Sequence, residues 1–227
     1  MRAWDIVDHE DLPYEDGTIY LMERGSEYVI AVNGRELMGN RMHGSEDALA
    51  DYACDRLEVL DDAKVLVGGL GMGFTLAAVL RRIGPSGVAT VAELMTAVVK
   101  WNRDYVGRAA KHPLRDPRVQ IHLGDVAEPI ETHTDYWSAI LLDVDNGPQA
   151  LTRPTNGWLY SDDGITVARN SLITGGILGI WSVFPDDDLT DRLSALGFDA
   201  EMIQFTEDGR PTPDDDGVHV LWMARKR

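Results

Sequence analysis

Val65-Leu66-Val67-Gly68-Gly69-Leu70-Gly71-Met72-Gly73 is a short apolar run that breaks into four glycines within six residues. Apolar residues in succession, without alternation, read as a strand buried on both faces. The glycines let the backbone turn sharply and approach a ligand closely. Residues 74–83 behind them read as a helix, ended by Gly84-Pro85, whose first N–H groups face the turn. Strand, glycine turn and helix in this order open a doubly wound α/β fold.

The rest of the chain repeats that unit. Short apolar strands are predicted at 88–92, ending at Glu93, at 119–123, followed by Gly124-Asp125, at 139–142, ending at Asp143, and at 176–182. Helical patterns fall at 96–108, 162–173 and 189–196, the last closed by Gly197. Alternation of strands with helices argues for a mostly parallel sheet. Two late strands, about 200–205 and 218–223, have only the acidic loop 208–216 between them, so they should form an antiparallel hairpin at one edge. The expected fold is therefore α/β, a Rossmann-like seven-stranded sheet with an antiparallel C-terminal hairpin.

Ahead of this core, Thr18-Ile19-Tyr20-Leu21-Met22 and Tyr28-Val29-Ile30-Ala31-Val32 are punctuated by Gly25 and Asn33-Gly34. They predict a small β-meander at about 17–40. Residues 1–16 are polar and acidic and suggest no strand. Ser45 resembles a helix N-cap, with Glu46 and Asp47 in the first turn of a helix running to about residue 60. The expected division is 1–44 for the N-terminal segment and meander, and 45–227 for the catalytic domain.

Composition narrows the function. The 227 residues carry 21 Lys+Arg against 38 Asp+Glu, a net charge of −17, with 26 Asp to 12 Glu. Nucleic-acid binding draws its affinity from clustered Lys and Arg, so a phosphate-reading role is not expected. The acids fit a solvated surface, or a field that attracts a cationic substrate. The single cysteine, Cys54, excludes an intrachain disulfide, and no Cys/His cluster has zinc spacing. With no signal-like N-terminus and no long apolar run, the expectation is a cytoplasmic protein with no metal and no membrane contact.

Five residues behind the strand ends suggest a cofactor site. Gly69, Gly71 and Gly73 would line it. Glu93, 20 residues beyond Gly73, can accept hydrogen bonds from ribose hydroxyls. Asp125 can accept from an adenine amino group, which favours an adenosyl-sulfonium cofactor over a dinucleotide. Asp143-Val144-Asp145-Asn146-Gly147-Pro148 follows the fourth strand, where ligands of open α/β sheets bind. A carboxylate there can hold an ammonium or take its proton. Asp143, Asp145 and His43 are the candidate catalytic residues. Asn146, Tyr160 and Trp181 are candidate substrate contacts, the last two as an aromatic wall.

These motifs resemble the spermidine synthase (polyamine aminopropyltransferase) family of the class I adenosylmethionine-dependent methyltransferase fold. The likeness rests on residues 65–73, Val91-Ala92-Glu93-Leu94, Asp116-Pro117-Arg118-Val119 leading to Gly124-Asp125, Leu142-Asp143 and Leu159-Tyr160-Ser161, and on the meander with Asn33-Gly34-Arg35-Glu36-Leu37-Met38. It implies S-adenosyl-L-methionine or its decarboxylated form as cofactor, a small-molecule acceptor such as an amine, and a homodimer. The family's glycine loop reads Gly-Gly-Gly-Asp-Gly, its Asp holding the donor's amine. Here that position is Met72. A thioether cannot pair with an ammonium, and losing such a charge-assisted contact costs about 1.5–3 kcal/mol. The family's Tyr-His-Glu becomes Met42-His43-Gly44-Ser45-Glu46, and its second catalytic-loop acid is matched by Asn146, or by Asp145 with a one-residue slip. The expectation drawn from Met72 is methyl transfer to a small acceptor. The alternatives are aminopropyl transfer from the decarboxylated donor and a non-catalytic protein that retains the fold.

Overall fold

The fold was taken from a computed structural model, which describes residues 3–13, 16–144, 157–186, 188–206, 210–212 and 217–227. Four strands form an antiparallel N-terminal sheet in the order β1-β2-β3-β4, namely Asp5–Asp11, Thr18–Arg24, Glu27–Val32 and Arg35–Gly39. Helix α1 (Gly44–Asp55) leads into the main sheet. That sheet comprises β5 (Lys64–Gly68), β6 (Val88–Glu93), β7 (Val119–Leu123), β8 (Trp137–Leu142), β9 (Leu172–Ser182), β10 (Phe198–Phe205), β11 (Pro211–Thr212) and β12 (His219–Lys226). Its order is β11-β10-β12-β9-β8-β5-β6-β7. Helices α2 (Phe74–Arg82), α3 (Thr96–Asp104), α4 (Ala127–Glu131), α5 (Asp162–Ser171) and α6 (Leu189–Ala195) connect the strands. None of the described helices is long and apolar enough to cross a membrane.

The strands from β7 to β9 pair in parallel, and β12 runs antiparallel to both β9 and β10. The expected hairpin is present, with β12 lying between β9 and β10. The sheet has eight strands rather than seven, because Pro211 and Thr212 add a two-residue edge strand to β10.

Period-two alternation sends successive residues of each strand to opposite layers. Val65 and Val67 of β5 enter a core with Leu49, Leu76, Val79, Val91 and Trp101, and the meander residues Leu21 and Ile30 join the same cluster. Leu66 points the other way, into a cluster with Ile140, Leu142, Ile165, Phe198 and Trp222. The meander therefore packs on the α1–α3 side of the sheet. Arg118, in the Asp116-Pro117-Arg118 motif, is bound by Asp116 and donates to the carbonyls of Ile83 (2.7 Å) and Leu80 (2.8 Å) at the end of α2.

Several element bounds differ from those expected, each for a local reason. The helix expected at 162–173 ends at Ser171, and Leu172 is already extended, so β9 begins at Leu172. Gly175, at φ +75°, lies in an irregular stretch where the pairing jumps from Trp137–Leu172 to Ala139–Ile177. The helix expected at 96–108 stops at Asp104 and continues as a 3-10 turn, Val106–Arg108. The helix expected to run to about residue 60 ends at Asp55. The five-residue α4 was not expected, being too short to show a period.

Strand β1 is the larger correction, since residues 1–16 suggested no strand. Its largely exposed positions are filled by acids, so the apolar signal is weak. Asp8 ties it down. Its carboxylate accepts from Lys100 Nζ (2.8 Å) and Trp101 Nε1 (3.0 Å) on α3. These two donors pull its pKa down to about 2. A depressed carboxyl stabilises the fold above its unfolded value near 3.8 and loses that contribution as pH falls through about 2. Asp8→Ala should lower the unfolding free energy by about 1 kcal/mol at neutral pH, and the difference from wild type should shrink in acid. Urea titrations at neutral pH and at about pH 2.5 measure both effects.

Candidate active site

The C-terminal ends of β5, β6, β7 and β8 converge on one cavity of about 520 Å³. Its wall includes Gly69, Gly71, Glu93, Leu94, Asp125, Val126, Asp143, Val144 and Trp181 from the main sheet, and Leu37 and Met38 from the meander. The site is where a doubly wound sheet places it, and the meander closes the open side.

The glycine turn is held by strand-end hydrogen bonds. Gly69 N–H donates to the Ala92 carbonyl (2.8 Å), and Asp143 N–H donates to the Gly68 carbonyl (2.9 Å). Gly69 has φ +86°, and a Cβ there would collide with the Asp143 carbonyl oxygen. Gly71 has φ +49°, and a Cβ would come within 2.7 Å of Met38 Sδ. Backbone and meander thus approach each other at a spacing only glycine permits. Gly73 sits behind the wall, as the left-handed residue preceding α2.

Glu93 is buried at the end of β6. Its Oε2 accepts from Leu70 N–H (3.0 Å) and its Oε1 from Met95 N–H (2.8 Å). Desolvation pushes its pKa up, and these backbone donors oppose the shift. Glu93 thus braces the glycine turn from the end of β6 while lining the cavity. Asp125 Oδ1 accepts from Ala127 N–H (3.0 Å) while lining the cavity, a placement that suits an exocyclic amine.

Asp143 follows β8. Its Oδ2 accepts from the Thr75 hydroxyl (2.6 Å) in the first turn of α2. Burial, reinforced by the negative charge of Glu46, pushes its pKa up to about 7 against the pull of Thr75. Glu46 itself is raised mainly by burial, opposed by the Ser45 hydroxyl and the neighbouring His43. Two carboxyls on one cavity wall cannot both ionise without cost.

The remaining expected residues are spread differently. His43 is not a wall residue. Its Nδ1 meets Asp47 Oδ2 at 2.9 Å and its ring stacks on Phe74 at 4.1 Å, so it is held against the helix starts instead of facing the cavity. Tyr160 is buried behind the wall, its hydroxyl 3.5 Å from the Val144 carbonyl. Trp181 does line the cavity, beside His219. Asp145 and Asn146 lie outside the described residues. Glu46 and Thr75 were missed as site residues. Glu46 could have been found from spacing: it precedes Leu49, Ala50 and Ala53 by three, four and seven residues, on the buried face of α1.

A carboxyl with a raised pKa destabilises the fold as pH climbs from its unfolded value toward its folded one. For Asp143 that window runs from about 4 to about 7. Wild-type thermal stability should therefore fall across it, and Asp143→Asn should flatten the slope. Melting temperatures at half-unit pH steps test this; an equal slope in the variant would contradict the assignment.

Comparison with known proteins places the cavity in context. No family model matches the chain. A polyamine aminopropyltransferase from Korarchaeum cryptofilum (strain OPF8) is 25% identical over 122 residues, 54% of this chain and 36% of that protein. The match thus spans about a third of that relative's length. A spermidine synthase solved with the transition state analogue AdoDATO superposes with a TM-score of 0.79 at 19% identity, over 98% of this chain and 74% of that one. Spermidine synthase from Thermotoga maritima gives 0.75 at 18%, over 98% and 72%. A probable spermidine synthase from Corynebacterium glutamicum gives 0.68 at 15%, over 99% and 81%. The names of these relatives overturn the expectation of methyl transfer drawn from Met72. That expectation treated the acid at one loop position as indispensable. In its fold, and in the stretch it shares with the archaeal relative, the chain is spermidine synthase-like.

Proposed function

We propose that the chain transfers an aminopropyl group from decarboxylated adenosylmethionine to a small amine. One observation carries the reading: the half-buried Asp143 carboxyl, its pKa pushed up to about 7, stands on the wall of the cavity that Gly69, Gly71, Glu93 and Asp125 also line. The names of the relatives support the same reaction class. Glu93 would accept from the ribose and Asp125 from the adenine, fixing the sulfonium near the end of β8.

The acceptor nitrogen attacks the carbon bonded to sulfur. Asp143 takes a proton from the acceptor's ammonium as its freed electron pair forms the new C–N bond, and the C–S electron pair leaves with sulfur as methylthioadenosine. Positioning supplies much of the acceleration, since both reactants must be held in line. A base works best with a pKa near the working pH, and the raised Asp143 meets that condition. Trp181 offers an aromatic face to a cationic chain on the same side.

Methylthioadenosine release should be seen with the decarboxylated donor and a diamine such as putrescine. Asp143→Asn should lower kcat by about 10²-fold or more. Turnover with adenosylmethionine and none with its decarboxylated form would overturn the reading.

A further inference from the structure

Met72 occupies the loop position where an acid could reach the donor, yet its side chain does not face the cavity. It is 2% exposed and packs within the core cluster of Leu76, Val98 and Trp101. The cavity near Gly71 is covered by the Met38 thioether instead. Neither sulfur can pair with an ammonium.

Glu46 and Asp143 are two of six acids on the cavity wall, with Glu27, Glu36, Glu93 and Asp125. Glu46, from the first turn of α1, lines it together with Asp143. Each accepts one neighbouring hydroxyl, Ser45 Oγ to Glu46 Oε2 at 2.8 Å and Thr75 Oγ1 to Asp143 Oδ2 at 2.6 Å. Each keeps further lone pairs for a donor in the cavity. Among the described residues, neither makes an ion pair with Lys or Arg. The wall's two arginines, Arg24 and Arg41, are engaged by Glu27 at 2.7 and 3.2 Å. Buried carboxylates normally have a partner. Trp181, one residue past the Leu142–Ile180 pair, stands on the same wall, and its Nε1 is buried with no hydrogen-bond partner among the described residues. An acid pair without a Lys or Arg partner among the described residues, on a wall that also carries an aromatic ring, suits a ligand that brings a positive charge.

Resting on the aminopropyl-transfer reading, we propose that Glu46 and Asp143 together hold the primary ammonium of the donor's aminopropyl arm, with Glu46 as the specificity-determining acid that replaces the one absent at Met72. The ammonium has three N–H donors, enough for one bond to each carboxylate.

Two neutral thioethers isolate the ammonium. 5′-Methylthioadenosine and S-adenosyl-3-thiopropylamine share the adenosyl group and sulfur, and only the second carries the amine arm. Calorimetry on the wild type should find the amine-bearing ligand bound at least ~10-fold more tightly. Glu46→Gln should bind methylthioadenosine as wild type does, which reports an intact fold, and lose the preference. Glu46→Asp should recover part of it. A preference that survives in Glu46→Gln overturns the proposal, as does a variant defect confined to the KM of the acceptor diamine. If the preference and its loss are both seen but no aminopropyl transfer occurs, the functional reading fails and the ammonium site stands. If transfer occurs and the preference survives the substitution, the ammonium site alone fails.

Discussion

A buried carboxylate joins the strand ends on which the cavity is built. Glu93 bonds Leu70 N–H with one oxygen and Met95 N–H with the other, linking the glycine turn after β5 to the turn after β6. Both amides would otherwise face an interior without a partner, at a cost of about 1–3 kcal/mol each. With this brace in place, Gly69 lies against the carbonyl of Asp143, and Gly71 lies under Met38. The loop, the acid after β8 and the meander then hold a common geometry, and Glu46 and Thr75 are brought to Asp143 from two separate helices.

Electrostatics inside the cavity differs from that on the surface. Outer acids are commonly matched by arginines, as where Arg82 meets Asp51 and Asp55, and Arg192 meets Asp162. Such exposed pairs add little stability. Among the described residues Glu46 and Asp143 have no such partner, and desolvation raises both, a cost that a bound cation or a shared proton would relieve. The overall charge of −17 is therefore a poor guide to the substrate. Only six of the 38 acids line the cavity.

The main sheet was legible because its strands are buried on both faces and read as unbroken apolar runs between glycine turns. The wall residues Gly69, Gly71, Glu93, Asp125 and Asp143 followed from their places at strand ends. Strand β1 was not legible, since Asp5, Asp8, Glu10 and Asp11 put acids on a strand whose anchoring contact, Asp8 to α3, is distant in sequence. Glu46 read as an ordinary first-turn acid, favoured by the helix dipole. Its meeting with Asp143, 97 positions later (143 − 46), is set by how α1 crosses the sheet. His43 was misjudged for a similar reason: its stacking on Phe74 depends on two helix starts coming together. Met72 was read as a chemical substitution inside the site, whereas its side chain belongs to the core.

The position of β12 between β9 and β10 also governs when the site can exist. During synthesis β9 and β10 emerge before the strand that separates them, so β9 can join β8 but β10 cannot join the sheet until β12 arrives. Trp181 of β9 and His219 of β12 both line the cavity, and Leu221 sits opposite Trp181 in the register. The part of the wall on β9 and β12 is therefore completed after the part at the ends of β5 to β8, which lie earlier in the chain. Such a non-local closing step carries a loop-entropy cost and slows folding. A nascent chain would gain the wall at the ends of β5 to β8 first, and the wall of Trp181 and His219 only when insertion of β12 seals the sheet.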